Sequence, residues 1–479
     1  MEQLMNIFRI AFCMTVFLAG TVRGGNRSPN ILFIMTDDLG IQDLGCCGSD
    51  YYRTPHLDEL AAQGMRFCRS YAAASLCSPT RAAVMTGRYP HRVHLTDALP
   101  WDRLPDNPEY VPPNHLKELP TDYITFAQVL RRAGYKTALF GKWHLGNEHS
   151  FFDLKGHEAY GFDEAFDADY HFINKVDKGT GVLTDRSLTF LEENKENPFM
   201  LCLFYHTPHI PLACPPDYEA AFEDSPPGTH QNNRKYAGMI SHLDDSVQAL
   251  LDKLSELGLD QNTVVVFTSD NGGFTGTTSN APFRGGKANL YEGGIRVPLL
   301  VRWPGVVAPG SVCDVPVIST DYFPTFLEMA GLDKMPKACV DGQSMAPLLA
   351  QVGTNHPRNL FWHLPHYRPD PQSAVLSKGW KLVHQIVPDS FELYHLNNDP
   401  YETRDLSGQY PEMTDRLRMM LEKQLRESGA QRMRNNIQWN SEKPRGDIRN
   451  YGVFYPAGGG IYRQVTDPLP EWFKAGAEK

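Results

Sequence analysis

Residues 30–36 read Asn-Ile-Leu-Phe-Ile-Met-Thr, and two aspartates, Asp37 and Asp38, follow directly. Near-continuous apolar runs of this length are typical of strands in a parallel sheet that is covered on both faces. Helical patterns lie between this run and similar ones, at 125–133 and 240–257. We therefore expect an α/β fold with a large central, mostly parallel sheet sandwiched by helices.

Three further apolar runs are followed by polar residues that can take part in catalysis or metal binding. They precede Lys142 and His144, His206 and His209, and Asp270 and Asn271. Ligands of open α/β sheets bind beyond the carboxyl ends of the strands. The four polar segments should therefore converge on one edge of the sheet.

Composition and the first residues bound the class of protein. The 479 residues carry a formal net charge of −10, which gives no support to binding of nucleic acid. An apolar run at 10–19 follows Arg9 and precedes small residues, which predicts a signal peptide over 1–24 and an exported, periplasmic or secreted protein. A core helix is the alternative interpretation of this run. The run at 10–19 is too short to cross a bilayer, so we expect no membrane span.

The pattern changes after residue 349. Residues 377–384 and 391–396 predict antiparallel strands, and 414–427 predicts a helix. We expect a main domain over 28–349 and a smaller α+β domain over 350–479 with an irregular tail from 432. Segments 98–120 and 214–231, rich in proline and polar residues, predict loops at the rim of the site. The nine cysteines form no C-x-x-C zinc pattern, and their pairing stays open.

The segment Cys77-Ser78-Pro79-Thr80-Arg81 precedes Thr86-Gly87-Arg88. Proline is tolerated at the start of a helix, so Cys77 should lie at a helix N-terminus, which favours developing negative charge. Arg81, four residues on, can point toward the same spot. A buried structural cysteine and a surface arginine are the alternative.

This pattern resembles the C-x-[PA]-[ST]-R and T-G-R signature of the type I sulfatases, in the alkaline phosphatase-like superfamily, which include exported bacterial polysaccharide sulfatases and arylsulfatases. The resemblance implies an alkaline phosphatase-like fold and hydrolysis of sulfate esters. It also implies that a maturase, the formylglycine-generating enzyme, oxidises Cys77 to 3-oxoalanine (formylglycine), whose hydrate attacks sulfur. The alcohol then leaves, protonated by His209 or Lys287, and sulfate is expelled as the aldehyde reforms.

The resemblance also implies a metal site. Asp37, Asp38, Asp270 and Asn271, with the modified Cys77, would hold one calcium ion. Oxygen donors favour Ca²⁺ or Mg²⁺ over zinc. Turn or capping roles are the alternative for the first two aspartates.

Basic residues complete the implied catalytic set. Gly141-Lys142-Trp143-His144 resembles a family motif in which the lysine binds sulfate and the histidine takes a proton during aldehyde regeneration. Lys287 matches a second sulfate-binding lysine, and His209 a histidine near the leaving oxygen. Histidine can give or take a proton near neutral pH.

The substrate predicted is a sulfated carbohydrate, with rim contacts from His171, Arg284, His363, His366 and Arg368. Inter-domain packing is the alternative for the cluster around Trp362. Two other functions stay open: a formylglycine-dependent phosphoester or phosphonate hydrolase, and an inactive protein that binds sulfated glycans.

Overall fold

A computed structural model describes residues 28–100, 102–146, 156–168, 175–332, 341–352 and 358–451. The predicted signal peptide lies outside these residues. Strands in chain order are β1 (Asn30–Thr36), β2 (Met65–Phe67), β3 (Ser70–Tyr71), β4 (Asp102–Pro105), β5 (Tyr110–Val111), β6 (Lys136–Gly141), β7 (Glu164–Phe166), β8 (Phe199–Phe204), β9 (Thr263–Ser269), β10 (Leu299–Arg302), β11 (Ser311–Cys313), β12 (Val317–Ile318), β13 (Leu360–Leu364), β14 (Gln372–Ser377), β15 (Trp380–Gln385), β16 (Ser390–His395), β17 (Arg434–Asn435) and β18 (Ile448–Tyr451).

Helices connect these strands. The α-helices span Pro55–Gln63, Cys77–Thr86, Pro90–Val93, Phe126–Arg132, Thr180–Glu193, Pro216–Ala220, Arg234–Glu256, Glu292–Ile295, Tyr322–Met329, Ala346–Leu349 and Pro411–Glu427. Short 3-10 helices span Gly45–Cys47, His157–Tyr160, Asp260–Asn262 and Ser319–Asp321.

The central sheet has eight strands in the order β11-β2-β10-β9-β1-β8-β6-β7. The five strands β9, β1, β8, β6 and β7 are parallel, whereas β10 runs antiparallel to both of its neighbours. Strand β1 lies between β8 and β9, where Met35 is paired with Phe204 on one side and Thr268 on the other. The carboxyl ends of β1, β8 and β9 therefore lie side by side.

Both faces of this sheet are buried. Along β1, Phe33 and Met35 pack into one core with residues of the helices Cys77–Thr86 and Tyr322–Met329. Leu32 and Ile34 pack into a second core with residues of the helices Thr180–Glu193 and Arg234–Glu256. Alternate residues of a strand face opposite sides, so both sets had to be apolar. The predicted α/β sandwich is confirmed.

A second sheet is an antiparallel meander in the order β13-β14-β15-β16. The helix Pro411–Glu427 packs Leu417, Leu421 and Leu425 against it, in a core that also holds Tyr71 from the main domain. Strand β15 begins later than the sequence indicated because Lys378 and Gly379 form a turn with positive φ. The domain limits 28–349 and 350–479 stay predictions.

A buried ion-pair triad connects the smaller sheet to the helix Glu292–Ile295. Lys381 on β15 places Nζ 2.9 Å from Glu292 Oε1 and 2.8 Å from Glu402 Oε1. Lys381 and Glu292 are fully buried. This ammonium therefore ties the smaller sheet to the segment that follows Lys287.

Segment 98–120, predicted as a rim loop, contains β4 and β5. Strand β4 pairs antiparallel with β18, and β5 pairs antiparallel with β17. The C-terminal tail therefore packs on this part of the main domain.

Two further findings concern the whole of the described chain. None of its helices is both long enough and apolar enough to cross a membrane. The seven cysteines that it includes are all free thiols.

Candidate active site

The helix Cys77–Thr86 begins at the predicted nucleophile itself. Leu76, in extended conformation, precedes it, and Gly87 ends it with φ 65°. Cys77 is 1% exposed and its Sγ lies 3.3 Å from Asp37 Oδ1. Burial raises the pKa of the thiol, and the carboxylate of Asp270 raises it further.

Arg81 lies one turn along the same helix and joins two other strand ends. Its Nε and Nη2 donate to Asp270 Oδ2 at 3.0 and 2.8 Å, and its Nη1 donates to the carbonyl oxygen of Lys142 at 2.6 Å. The guanidinium is buried, which disfavours its charge, but Asp270 outweighs this and raises its pKa. It is held rigidly beside the Cys77 end of the helix.

Two lysines approach the first aspartate pair. Lys142 Nζ lies 2.7 Å from Asp37 Oδ2, and Lys287 Nζ lies 2.7 Å from Asp38 Oδ1. Lys142 follows Gly141, whose φ is 95° and whose Cβ, if present, would lie 2.0 Å from the carbonyl oxygen of Phe204. Glycine is therefore required where β6 delivers Lys142 to the site.

The three carboxyl groups of the site differ in the direction in which their pKa is shifted. Burial opposes ionisation of Asp37, yet Lys142 and other nearby cations hold its pKa well below the usual range. Burial raises the pKa of Asp38, with Lys287 acting against it. Burial together with Asp37 raises the pKa of Asp270 to about 6.

The donor set suits a hard divalent cation. Ligand atoms of Asp37, Asp38, Cys77 and His209 all lie within 4.8 Å of one another. Asn271 donates its Nδ2 to Asp38 Oδ1 at 2.8 Å, while its buried Oδ1 has no hydrogen-bond partner within the described ranges. A buried amide oxygen without a partner is costly, and coordination of a cation would satisfy it.

Two histidines flank this cluster. His144 Nε2 lies 2.9 Å from the carbonyl oxygen of Leu99, so it carries the proton and Nδ1 can accept one. His209 Nδ1 donates in the same way to the carbonyl oxygen of Ile210 at 2.6 Å, and its Nε2 lies 3.6 Å from Asp38 Oδ2. Burial lowers the pKa of both rings, helped by Lys142 for His144 and by Lys287 for His209.

Lys178 is a member of this cluster that sequence reasoning missed. It is 3% exposed, and its Nζ donates to the carbonyl oxygen of Ile210 at 3.3 Å, the acceptor that His209 also uses. Burial lowers its pKa to about 8, and the carboxylate of Asp37 acts against that shift. It belongs to no motif of the kind that marks the other residues of the site.

The predicted rim residues lie in different surroundings. Arg284 donates to Glu392 and Tyr394 of the smaller sheet at 3.1 and 2.6 Å. His363 is buried, with Nδ1 2.7 Å from Ser373 Oγ and Nε2 engaged by the main chain. These contacts give Arg284 and His363 a structural role. Contact of either side chain with substrate remains a prediction.

His366 and Arg368 lie together near the site. His366 Nε2 lies 2.9 Å from Thr96 Oγ1, and Arg368 Nε donates to Asp97 Oδ1 at 2.6 Å. Both side chains are at least nine-tenths buried. The fifth predicted contact, His171, lies outside the described residues.

Comparison with known proteins identifies the family. The Sulfatase family profile matches residues 29–332, and the profile "N-sulphoglucosamine sulphohydrolase, C-terminal" matches residues 286–431. The chain belongs to the sulfatase family. It is a sulfatase, a sulfuric ester hydrolase that acts on sulfate esters.

Three relatives illustrate the similarity. A "Sulfatase" of Formosa agariphila is 31% identical over 82% of this chain and 86% of its own length. Human steryl-sulfatase is 30% identical over 74% of this chain and 75% of its own, and human N-acetylgalactosamine-6-sulfatase is 32% identical over 80% and 77%. The solved structure of Ps i-CgsB in complex with k-i-k-neocarrahexaose superposes with a TM-score of 0.71 at 28% identity, covering 83% of this chain and 93% of that one.

Proposed function

We propose that this sulfatase is an exported enzyme that removes sulfate from sulfated carbohydrates, through a formylglycine at position 77 and one calcium ion. One observation carries the catalytic part of the proposal. Cys77 opens a buried helix with its sulfur 3.3 Å from Asp37, and lysines lie against the neighbouring carboxylate oxygens on each side. Such a pocket offers positive charge to a small tetrahedral anion.

The proposed calcium ion and the aldehyde at position 77 would be neighbours in this site. Asp37, Asp38, Asp270 and Asn271 would hold calcium, which supplies fixed positive charge beside position 77. The hydrate of an aldehyde at position 77 would supply the nucleophile.

The chain's own cations bind and orient the sulfate ester. Lys142 and Lys287 are directed at the pocket by Asp37 and Asp38, at 2.7 Å each. The ion pair with Asp270 keeps Arg81 charged, and Arg81 adds its positive charge to the same region. These groups are already in place, so little reorganisation is needed as charge develops.

The two histidines would move protons. His209 opens toward solvent, since its side chain is 29% exposed, and is suited to protonate the leaving alcohol. Burial keeps His209 neutral in the substrate-free pocket, and the negative charge of a bound sulfate ester would favour its protonated form. His144, buried with Nε2 fixed on the Leu99 carbonyl, is suited to accept a proton at Nδ1.

Support for a carbohydrate substrate comes from relatives. N-acetylgalactosamine-6-sulfatase is named for a sulfated sugar, and Ps i-CgsB was solved with k-i-k-neocarrahexaose. The relative named steryl-sulfatase makes a sterol sulfate the necessary comparison substrate.

The test uses the full chain produced together with a formylglycine-generating enzyme. Mass spectrometry of the peptide containing Cys77 should show the aldehyde or its hydrate. Sulfate release should be observed from at least one sulfated mono- or disaccharide, with steryl sulfate, 4-nitrophenyl sulfate and a phosphonate monoester in the same panel. Turnover of the steryl sulfate alone would contradict the carbohydrate assignment.

Two controls separate the parts of the proposal. Cys77→Ala should release no sulfate, and full activity in this variant would refute the nucleophile. Chelation with EGTA should abolish release, and calcium should restore it better than zinc; activity that is indifferent to chelation would refute the metal.

A further inference from the structure

Two arginines lie close together beside the active site. Arg368, on the loop between β13 and β14, is 5% exposed and donates to Asp97 Oδ1 and to the carbonyl oxygen of Ala98. Arg103, on β4, is half-buried, and the next residue, Leu104, packs in one small core with Tyr367, the residue before Arg368. Arg368 also lowers the pKa of Arg103. Burial is the larger cause, and together they bring the pKa of Arg103 to about 10.

The guanidinium of Arg103 is not satisfied by its neighbours. Its Nε is buried and has no hydrogen-bond partner in the described part of the chain. Asp97 is the carboxylate that acts on it electrostatically. The Oδ1 of Asp97 accepts from Arg368, and its Oδ2, 3.7 Å from His366 Nδ1, has no hydrogen-bond partner among the described residues, so Asp97 supplies one negative charge to both arginines. The next acid, Asp102, is engaged by Lys117 at 2.9 Å.

Bringing two guanidinium groups together in a partly dehydrated place costs free energy unless an anion compensates them. One carboxylate for two arginines leaves an excess of one positive charge. The planar guanidinium group of Arg103, whose Nε is not used in a hydrogen bond within the described residues, suits a sulfate or a carboxylate. A ligand that brings a second negative charge would offset this free-energy cost.

This place adjoins the sulfate pocket through the main chain. Arg368 donates to the carbonyl oxygen of Ala98, and His144 donates to that of Leu99, the next residue. Leu99 N in turn donates to Ser78 Oγ, beside Cys77. Consecutive Cα atoms are about 3.8 Å apart, so the two places are neighbours along the main chain.

We propose that Arg103 and Arg368 form a second anion subsite, which binds a further sulfate or carboxylate group on the sugar whose sulfate ester is cleaved. This inference rests on the proposed function and narrows it to carbohydrates that carry at least two negative groups. Arg103 is a specificity residue for such substrates.

The test compares substrates within one enzyme. Sulfate release is measured from a monosulfated disaccharide, from the same disaccharide with a second sulfate, and from a monosulfated disaccharide that carries a uronic carboxylate. The wild-type enzyme should have a higher kcat/KM for one or both doubly anionic substrates, and which of the two identifies the second group. Equal kcat/KM for all three substrates would overturn the proposal.

Variants at Arg103 locate the effect. Arg103→Gln should reduce the preference for the doubly anionic substrate about tenfold, mainly through KM, as expected for loss of one charge-assisted contact. Arg103→Lys keeps the charge and should retain part of the preference, so it serves also if the Gln variant does not fold. Arg132→Gln, at an exposed position on the helix Phe126–Arg132, is the matched control and should keep the wild-type ratio.

The outcomes separate the two proposals. If the wild-type enzyme releases sulfate from none of these sugars, the proposed carbohydrate function fails. If it releases sulfate and both Arg103 variants keep the wild-type preference, only the second subsite is refuted.

Discussion

His363 should make the stability of the fold depend on pH in a way that one substitution can remove. Its Nε2 faces the carbonyl oxygen of Gln431, an acceptor only, so Nε2 carries the proton and Nδ1 accepts from Ser373 Oγ. The neutral ring therefore has both nitrogens bonded while buried. Burial lowers its pKa from 6.5 to about 4.

The direction of the effect follows from which state binds the proton. Between pH 6.5 and about 4 the unfolded chain protonates this histidine and the folded chain does not. The free energy of unfolding should therefore fall as the pH is lowered through this window, by about 3 kcal/mol from this group. Above pH 6.5 the contribution is complete and constant.

The assay is urea unfolding followed by tryptophan fluorescence at several pH values from 4 to 7.5. His363→Gln should be less stable than wild type at pH 7 but should lose about 3 kcal/mol less on acidification. Ser373→Ala is the matched control, because it removes the hydrogen bond to Nδ1 but leaves the titrating ring buried, so most of the loss of stability on acidification should remain. Parallel curves for wild type and His363→Gln, within about 0.5 kcal/mol, would refute the reasoning.

Three further substitutions test other parts of the structure. Lys381→Met leaves the carboxylates of the buried ion-pair triad uncompensated and should cost about 3–5 kcal/mol in urea unfolding, whereas a loss below 1 kcal/mol would contradict the triad's importance. Gly141→Ala places a methyl group against the carbonyl oxygen of Phe204 and should abolish sulfate release, with circular dichroism to show whether folding fails too. Thr125→Ala removes a capping box with Gln128 and should lower the free energy of unfolding by about 1 kcal/mol without changing kcat; an unchanged free energy of unfolding would count against the cap.

Much of the fold could be predicted because its signals are local. The apolar run at 30–36 had to be a strand buried on both faces, and its neighbours in the sheet follow the same pattern. Pro79 after Cys77 placed the start of a helix, which the structure puts at Cys77 itself. Where strands are parallel and adjacent, their polar ends meet, so the proximity of Asp37 to Asp270 follows from topology.

Contacts between distant segments could not be predicted in this way. Lys178 enters the site because a loop folds back onto the carbonyl of Ile210, and nothing near it in sequence indicates that path. Arg103 and Arg368 are brought into one region by the packing of Tyr367 against Leu104 and Val111. Such placements depend on tertiary packing rather than on periodicity or turn chemistry.

The pairing of β18 with β4 has a consequence for biosynthesis. Translation reaches β18 long after β4, so the strand that carries Arg103 stays without its partner until β18 has been made. Deletion of β18 would leave β4, the strand that carries Arg103, without its antiparallel partner.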